Sequence, residues 1–169
     1  MNTEPKKKEN KNIETLDMSQ WLPSNSQKSS FDLQAYLFQG LILKEKDFRD
    51  DLKDFDWSQL TGHFVAVYCS SDAIIPMWAY MLVSAYLESV NAKAFFCSPD
   101  ELNTRIILEQ IEELDPSNYS GSRIVVKGCG EEDIRPEAYV ALTRKLTPVT
   151  RAFSFGEACS TVPIWRQSS

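Results

Sequence analysis

The chain of 169 residues and 19.3 kDa has the size of one ordinary domain, and its 43% hydrophobic and 11% aromatic content can bury a core without disulfide or metal staples. Eighteen basic against 24 acidic side chains leave a formal net charge of −6, which argues against broad electrostatic binding to nucleic-acid phosphates. No apolar run reaches the roughly 18 residues of a membrane span, and none follows the N-terminal lysines as in a signal peptide, so a soluble cytoplasmic protein is expected.

Residues 1–30 read as a disordered or loosely attached arm. They are rich in Lys, Asn, Ser and Gln, with Lys6, Lys7, Lys8 and Lys11 clustered early, and cannot bury enough apolar surface to order themselves. The exception is Ile13, Leu16, Met18, Trp21 and Leu22, which can pin the arm as an edge strand or turn. Residues 31–169 form a single α/β domain. Within it, 31–60 is a helical extension, where Phe48, Leu52 and Phe55 recur at the spacing of a surface helix.

Residues 64–165 follow a βαβαβαβ pattern. Strands are expected at 64–68, 94–96, 123–127 and 151–155, with a short edge piece at 162–165. Helices are expected at 74–90 as a buried core helix, after the capping box Ser98-Pro99-Asp100-Glu101, and at 136–146. This order implies a three-layer fold: a mainly parallel sheet of about four strands, order 2-1-3-4 favoured, with helices on both faces. No internal repeat stands out.

The four cysteines carry the chemistry. Cys69, Cys97 and Cys129 follow the first three strands closely, and Cys159 lies four residues past the fourth. All therefore stand at the carboxyl edge of the sheet, where open α/β folds bind ligands. In order 2-1-3-4 the first, third and fourth strands are neighbours about 4.8 Å apart, so Cys69, Cys129 and Cys159 converge on one metal or cluster. Asp72 or Glu157 is the candidate fourth ligand. In the alternative order 3-2-1-4 this triad fails. Cys97 is the outlier.

The only histidine, His63, precedes the first strand, so about 20 Å of extended chain separates it from Cys69. A structural role is expected for it. No CxxC pair occurs, so inert packing and thiol redox chemistry stand beside the metal reading. Cys129 and Arg135 match the Cys-x5-Arg spacing of tyrosine-phosphatase loops, but Glu131, Glu132 and Asp133 would repel a phosphate there. Ser71 or Asp72 can cap the helix that follows Cys69. No Walker loop, GxGxxG or GxSxG occurs, so no nucleotide cofactor is indicated.

The segments Leu41-Ile-Leu-Lys-Glu-Lys-Asp-Phe48, Cys69-Ser-Ser-Asp-Ala-Ile-Ile-Pro76-Met-Trp-Ala-Tyr-Met81, Val126-Lys-Gly-Cys129 and Phe155-Gly-Glu-Ala-Cys159-Ser-Thr-Val-Pro163 resemble an uncharacterised Bacteroidetes protein family, domain of unknown function 2480. Three of these blocks contain Cys69, Cys129 and Cys159. The resemblance implies no established activity. It tilts the metal reading from zinc toward an iron-sulfur cluster, and toward an accessory factor with the iron-sulfur assembly machinery as protein partner. The alternatives are a thiol-dependent redox enzyme, or a binding or scaffold module using an apolar patch within 31–55.

Overall fold

The computed structural model describes residues 13–127, 134–157 and 160–167. Its strands are β1 (Ile13–Leu16), β2 (Lys28–Asp32), β3 (Leu37–Phe38), β4 (Ile42–Leu43), β5 (Phe64–Tyr68), β6 (Lys93–Phe96), β7 (Arg123–Val126), β8 (Ala152–Glu157) and β9 (Ser160–Arg166). Its helices are α1 (Glu45–Asp54), α2 (Met77–Ser89), α3 (Leu102–Glu113) and α4 (Pro136–Leu146). The chain divides into a central unit, Leu22–Ile106, and a flanking unit built from Met1–Trp21 and Ile107–Ser169.

The central unit holds a fully parallel sheet in the order β2-β5-β6. Alternation along β5 sends its side chains to two faces. Val65 and Val67 meet Phe48 and Leu52 of α1 and Ala79, Val83 and Leu87 of α2. Ala66, with Phe64 and Phe95, packs against Cys97 and against Leu102 and Ile106 at the start of α3. Helices therefore cover both faces of this sheet. The capping box is in place: the Glu101 carboxylate accepts from the Ser98 amide at 3.1 Å and from its hydroxyl at 2.9 Å. The helix at 77–89 is apolar nearly all round but not buried all round. Only its Ala79-Val83-Leu87 face is fully covered, and Met77 and Met81 are 71% and 72% exposed.

The flanking unit holds a second sheet in the order β1-β7-β8-β9, with the first three strands parallel and β9 antiparallel to β8. Ala138, Leu142 and Leu146 of α4 are buried, as are Ile124, Val126 and Phe153 of the sheet. At the β8–β9 turn Gly156 has φ +125°, and a Cβ there would stand 2.5 Å from the Ser160 carbonyl oxygen.

The α/β class with mainly parallel strands is what the sequence implies, but the single sheet in order 2-1-3-4 is not what forms. Strands β5 and β6 share one sheet, and β7 and β8 share another. The reason lies in Ile13–Asp32, most of which reads as a polar arm. An edge strand is held by its backbone and needs few apolar side chains. Here β1 buries only Leu16, and β2 only Phe31. With β2 on the side of β5 away from β6, and β1 on the side of β7 away from β8, β5 and β7 cannot be neighbours.

The structure also reveals a repeat that the sequence conceals. Residues 43–68 and 75–96 correspond to 102–127 and 134–155 at a constant offset of 59 positions. Asp56 and Asp115 each accept from the amide two residues on, at 3.1 and 2.9 Å, opening equivalent 3-10 turns. Gly62 and Gly121 both adopt φ +72° and donate to Val90 and Val149. Buried Ala79, Val83 and Leu87 match buried Ala138, Leu142 and Leu146. Tyr80 meets Phe96 edge-on at 5.1 Å, as Tyr139 meets Phe155 at 5.8 Å. A second equivalence, at an offset of 15, relates Thr15-Leu16-Asp17-Met18 of the first edge strand to Ser30-Phe31-Asp32-Leu33 of the second. Each unit is thus one edge strand beside a β-α-β element whose helix buries the equivalent face.

Candidate functional site

The repeat defines two equivalent positions at the carboxyl ends of the parallel strands. In the central unit this end is a polar network. The Asp32 carboxylate accepts from the Gln34 amide at 2.9 Å, the Ser70 amide at 3.0 Å and the Ser70 hydroxyl at 2.5 Å, and Ser70 also reaches the Gln34 side-chain oxygen. Burial pushes the Asp32 carboxyl up, but the hydrogen bonds from Ser70 and Gln34 outweigh it and hold it below the ordinary value. Cys69 is half-buried, its sulfur 3.3 Å from the Ser71 hydroxyl. Tyr80 lies over the same strand end. Burial raises its phenol, and the nearby Cys69 sulfur adds to the rise.

In the flanking unit Asp17 takes the place of Asp32. It accepts from the Ser19 amide at 3.1 Å, and Lys127 stands 3.7 Å away. By the offset of 59, Cys129 holds the sequence position of Ser70.

Of the sequence-derived ligands, Cys69 and Asp72 belong to the central unit and Glu157 to the flanking one; Asp72 and Glu157 are exposed. Cys129 and Cys159 lie outside the described residues. The adjacency that made Cys69 a partner of the other two required β5 beside β7, and these strands are in different sheets. Among the described residues no group of three or more His, Cys, Asp and Glu side chains is placed to hold a metal ion. Cys97 is a packing residue, 5% exposed, with its thiol pushed up to about 11 by burial and by Glu101. His63 sits before β5, its Nδ1 2.7 Å from the Ser29 hydroxyl, bracing β2 against β5.

The flanking unit carries a feature that sequence reading missed. Between α4 and the β8–β9 pair lies a cavity of about 640 Å³. Its walls are Ile134, Tyr139, Val140, Phe153, Phe155 and Ile164, with Arg144 as its charged side chain. Of the segment 31–55, Phe31 and Phe48 are buried and Phe31 packs on Phe55, whereas Phe38, Leu41 and Ile42 are exposed. The apolar spacing of α4, with Tyr139 and Val140, and the apolar Ile164 near the end of the chain were the available signals for the cavity wall.

Fold and site together define a duplicated α/β protein, each half offering the carboxyl ends of a parallel sheet, with an apolar cavity beside one of them. The chain belongs to a family described as a protein of unknown function, DUF2480, whose model matches residues 5–167. No curated protein and no solved structure matches it. Among the described residues no helix is long and apolar enough to cross a membrane.

Proposed function

We propose that this chain is a non-catalytic binding module whose ligand is an apolar small molecule held between α4 and β9. The cavity carries the reading. Its volume falls within the roughly 300–1,000 Å³ typical of small-molecule sites, and its walls are aliphatic and aromatic with few polar groups. Divergence of the two repeats supports it. Phe153 and Arg144 of the cavity correspond to Ala94 and Ala85 of the central unit, where no strand follows in the place of β9. Titration with the fluorescent probe anilinonaphthalene sulfonate tests it. Saturable binding that a medium-chain fatty acid displaces is expected, weakened at least about tenfold by Val140→Arg with an unchanged unfolding midpoint. Probe binding indifferent to Val140→Arg would overturn the reading.

A second reading keeps a metal, zinc or an iron-sulfur cluster, and is favoured by the pairing of β7 with β8. Cys129 follows β7 by three residues, and Cys159 stands between β8 and β9. The strands that precede the two cysteines in the sequence are thus adjacent and parallel, about 4.8 Å apart. On this reading Cys129 and Cys159 bind the ion, with Glu157 as a further ligand and Cys69 and Asp72 no part of the site. An accessory role in iron-sulfur assembly would follow if the metal is iron. Metal analysis of anaerobically purified protein decides it. Near-stoichiometric metal lost in Cys129→Ala and kept in Cys69→Ala is expected, and metal-free protein that also resists reconstitution would dispose of it.

A further inference from the structure

The outer edge of β6 differs from its equivalent in the other repeat. There, β8 is covered by antiparallel β9, with Phe155 opposite Val162. In the central unit β6 is the last strand of its sheet. Phe96, the counterpart of Phe155, is 74% exposed, against 38% for Phe155. Ile74, Met77 and Met81 are also largely exposed, and the last two lie on α2, which packs over β6. An unpaired strand edge flanked by exposed apolar side chains is a template for another strand.

We infer that a second copy of this chain covers the edge, β6 pairing with β6 to join the two central sheets into one. Three observations select this occupant. First, the equivalent edge takes its strand antiparallel, the sense that two-fold symmetry imposes on a strand paired with itself. Second, a two-fold axis normal to the sheet keeps both α2 helices on one face, so only residues of the same face stand opposite each other. Placing the axis at Phe95 sets each Phe96 across from the other copy's Ala94, large against small. Ala94 packs toward α2, the side on which Phe96 meets Tyr80, whereas Phe95 packs on the opposite face.

Third, other candidate strands suit the edge poorly. β9 contains Pro163, which lacks the amide hydrogen a further ladder needs. β2 is Lys-Ser-Ser-Phe-Asp, polar but for Phe31, which its own sheet already buries. Residues 1–12 offer only Met1 and Pro5 among polar and charged side chains, too little for an apolar strand. β6 itself, Lys-Ala-Phe-Phe, is the apolar edge with its backbone donors intact.

Sedimentation equilibrium of the full chain at about 100 µM tests the inference. A mass of twice 19.3 kDa is expected. Phe96→Lys should return the chain to one protomer with unchanged circular dichroism, and Met81→Lys should weaken the dimer about tenfold, giving a second reading should Phe96→Lys disturb the fold. Val140→Arg on the flanking unit should leave the dimer intact. A wild-type monomer, a dimer indifferent to both central-unit variants, or one lost in Val140→Arg would each overturn it.

Discussion

The amide of Ser70 donates to the Asp32 carboxylate at 3.0 Å, tying the turn after β5 to the end of β2. The two residues are far apart in sequence, and the contact exists only because an edge strand drawn from the polar N-terminal region lies beside β5. Because hydrogen bonds hold the Asp32 carboxyl below its ordinary value against the opposing pull of burial, its stabilisation is fully present above the unfolded-state pKa near 3.8. It fades as pH falls through the lower folded value. Asp32→Asn is expected to cost about 1 kcal/mol at pH 7, a modest figure because the site is largely solvated, and less at pH 3, where the loss of the carboxylate's contribution has begun. Urea unfolding of both proteins at the two pH values checks this.

Cys97 works with the opposite sign. Its thiol is pushed up to about 11, so between about pH 9 and 11 the unfolded chain releases a proton that the folded chain retains. Its contribution to stability therefore declines as pH rises through that window. Cys97→Ala should flatten this decline, visible as a smaller loss of unfolding midpoint between about pH 8 and about pH 10.5, around the thiol range. Iodoacetamide applied to the folded protein near neutral pH should leave Cys97 unlabelled while modifying half-buried Cys69.

Leu87 and Leu146 close the buried faces of α2 and α4 at equivalent places, and both are fully buried. Truncating either to alanine removes the same atoms from the same kind of packing. Each substitution should cost about 2–5 kcal/mol, the two values falling within about 1 kcal/mol of each other. Chemical denaturation of the two variants measures it, and a large inequality would mean that the repeats do not share a packing scheme.

Thr150 is 2% exposed, and its hydroxyl has no hydrogen-bond partner among the described residues. The corresponding residue in the first repeat, Asn91, is exposed, so only one copy carries the cost of a buried hydroxyl. Thr150→Val keeps the shape and removes the unpaired group. It should raise stability by about 1 kcal/mol, read as a higher thermal midpoint.

Much of the local structure was legible in the sequence. The Ser98–Glu101 capping box, the apolar spacing of α1 and α4, and the β-branched runs of β5 and β7 are local signals, and each element stands where its residues indicate. Strand partnership is not local. β2 has one apolar residue among five, because a strand at the edge is held by its backbone rather than by side chains. The repeat was hidden because its identities, such as Gly62 with Gly121 and Tyr80 with Tyr139, are scattered among substitutions that preserve only burial. Of the site, the position of Cys69 after β5 was legible. The Asp32 network was not, since it depends on that unforeseen pairing.

The placement of β1 has a consequence for how the chain acquires its structure. The central unit is one continuous stretch, Leu22–Ile106, and every strand of its sheet is synthesised before β7 exists. The flanking sheet instead pairs Ile13–Leu16 with Arg123–Val126, closing a loop of more than a hundred residues. Closing so long a loop is entropically unfavourable and slow when the intervening chain is unfolded, and far easier once that chain has collapsed into a finished unit. β1, made before every other strand of either sheet, is therefore among the last to find its partner.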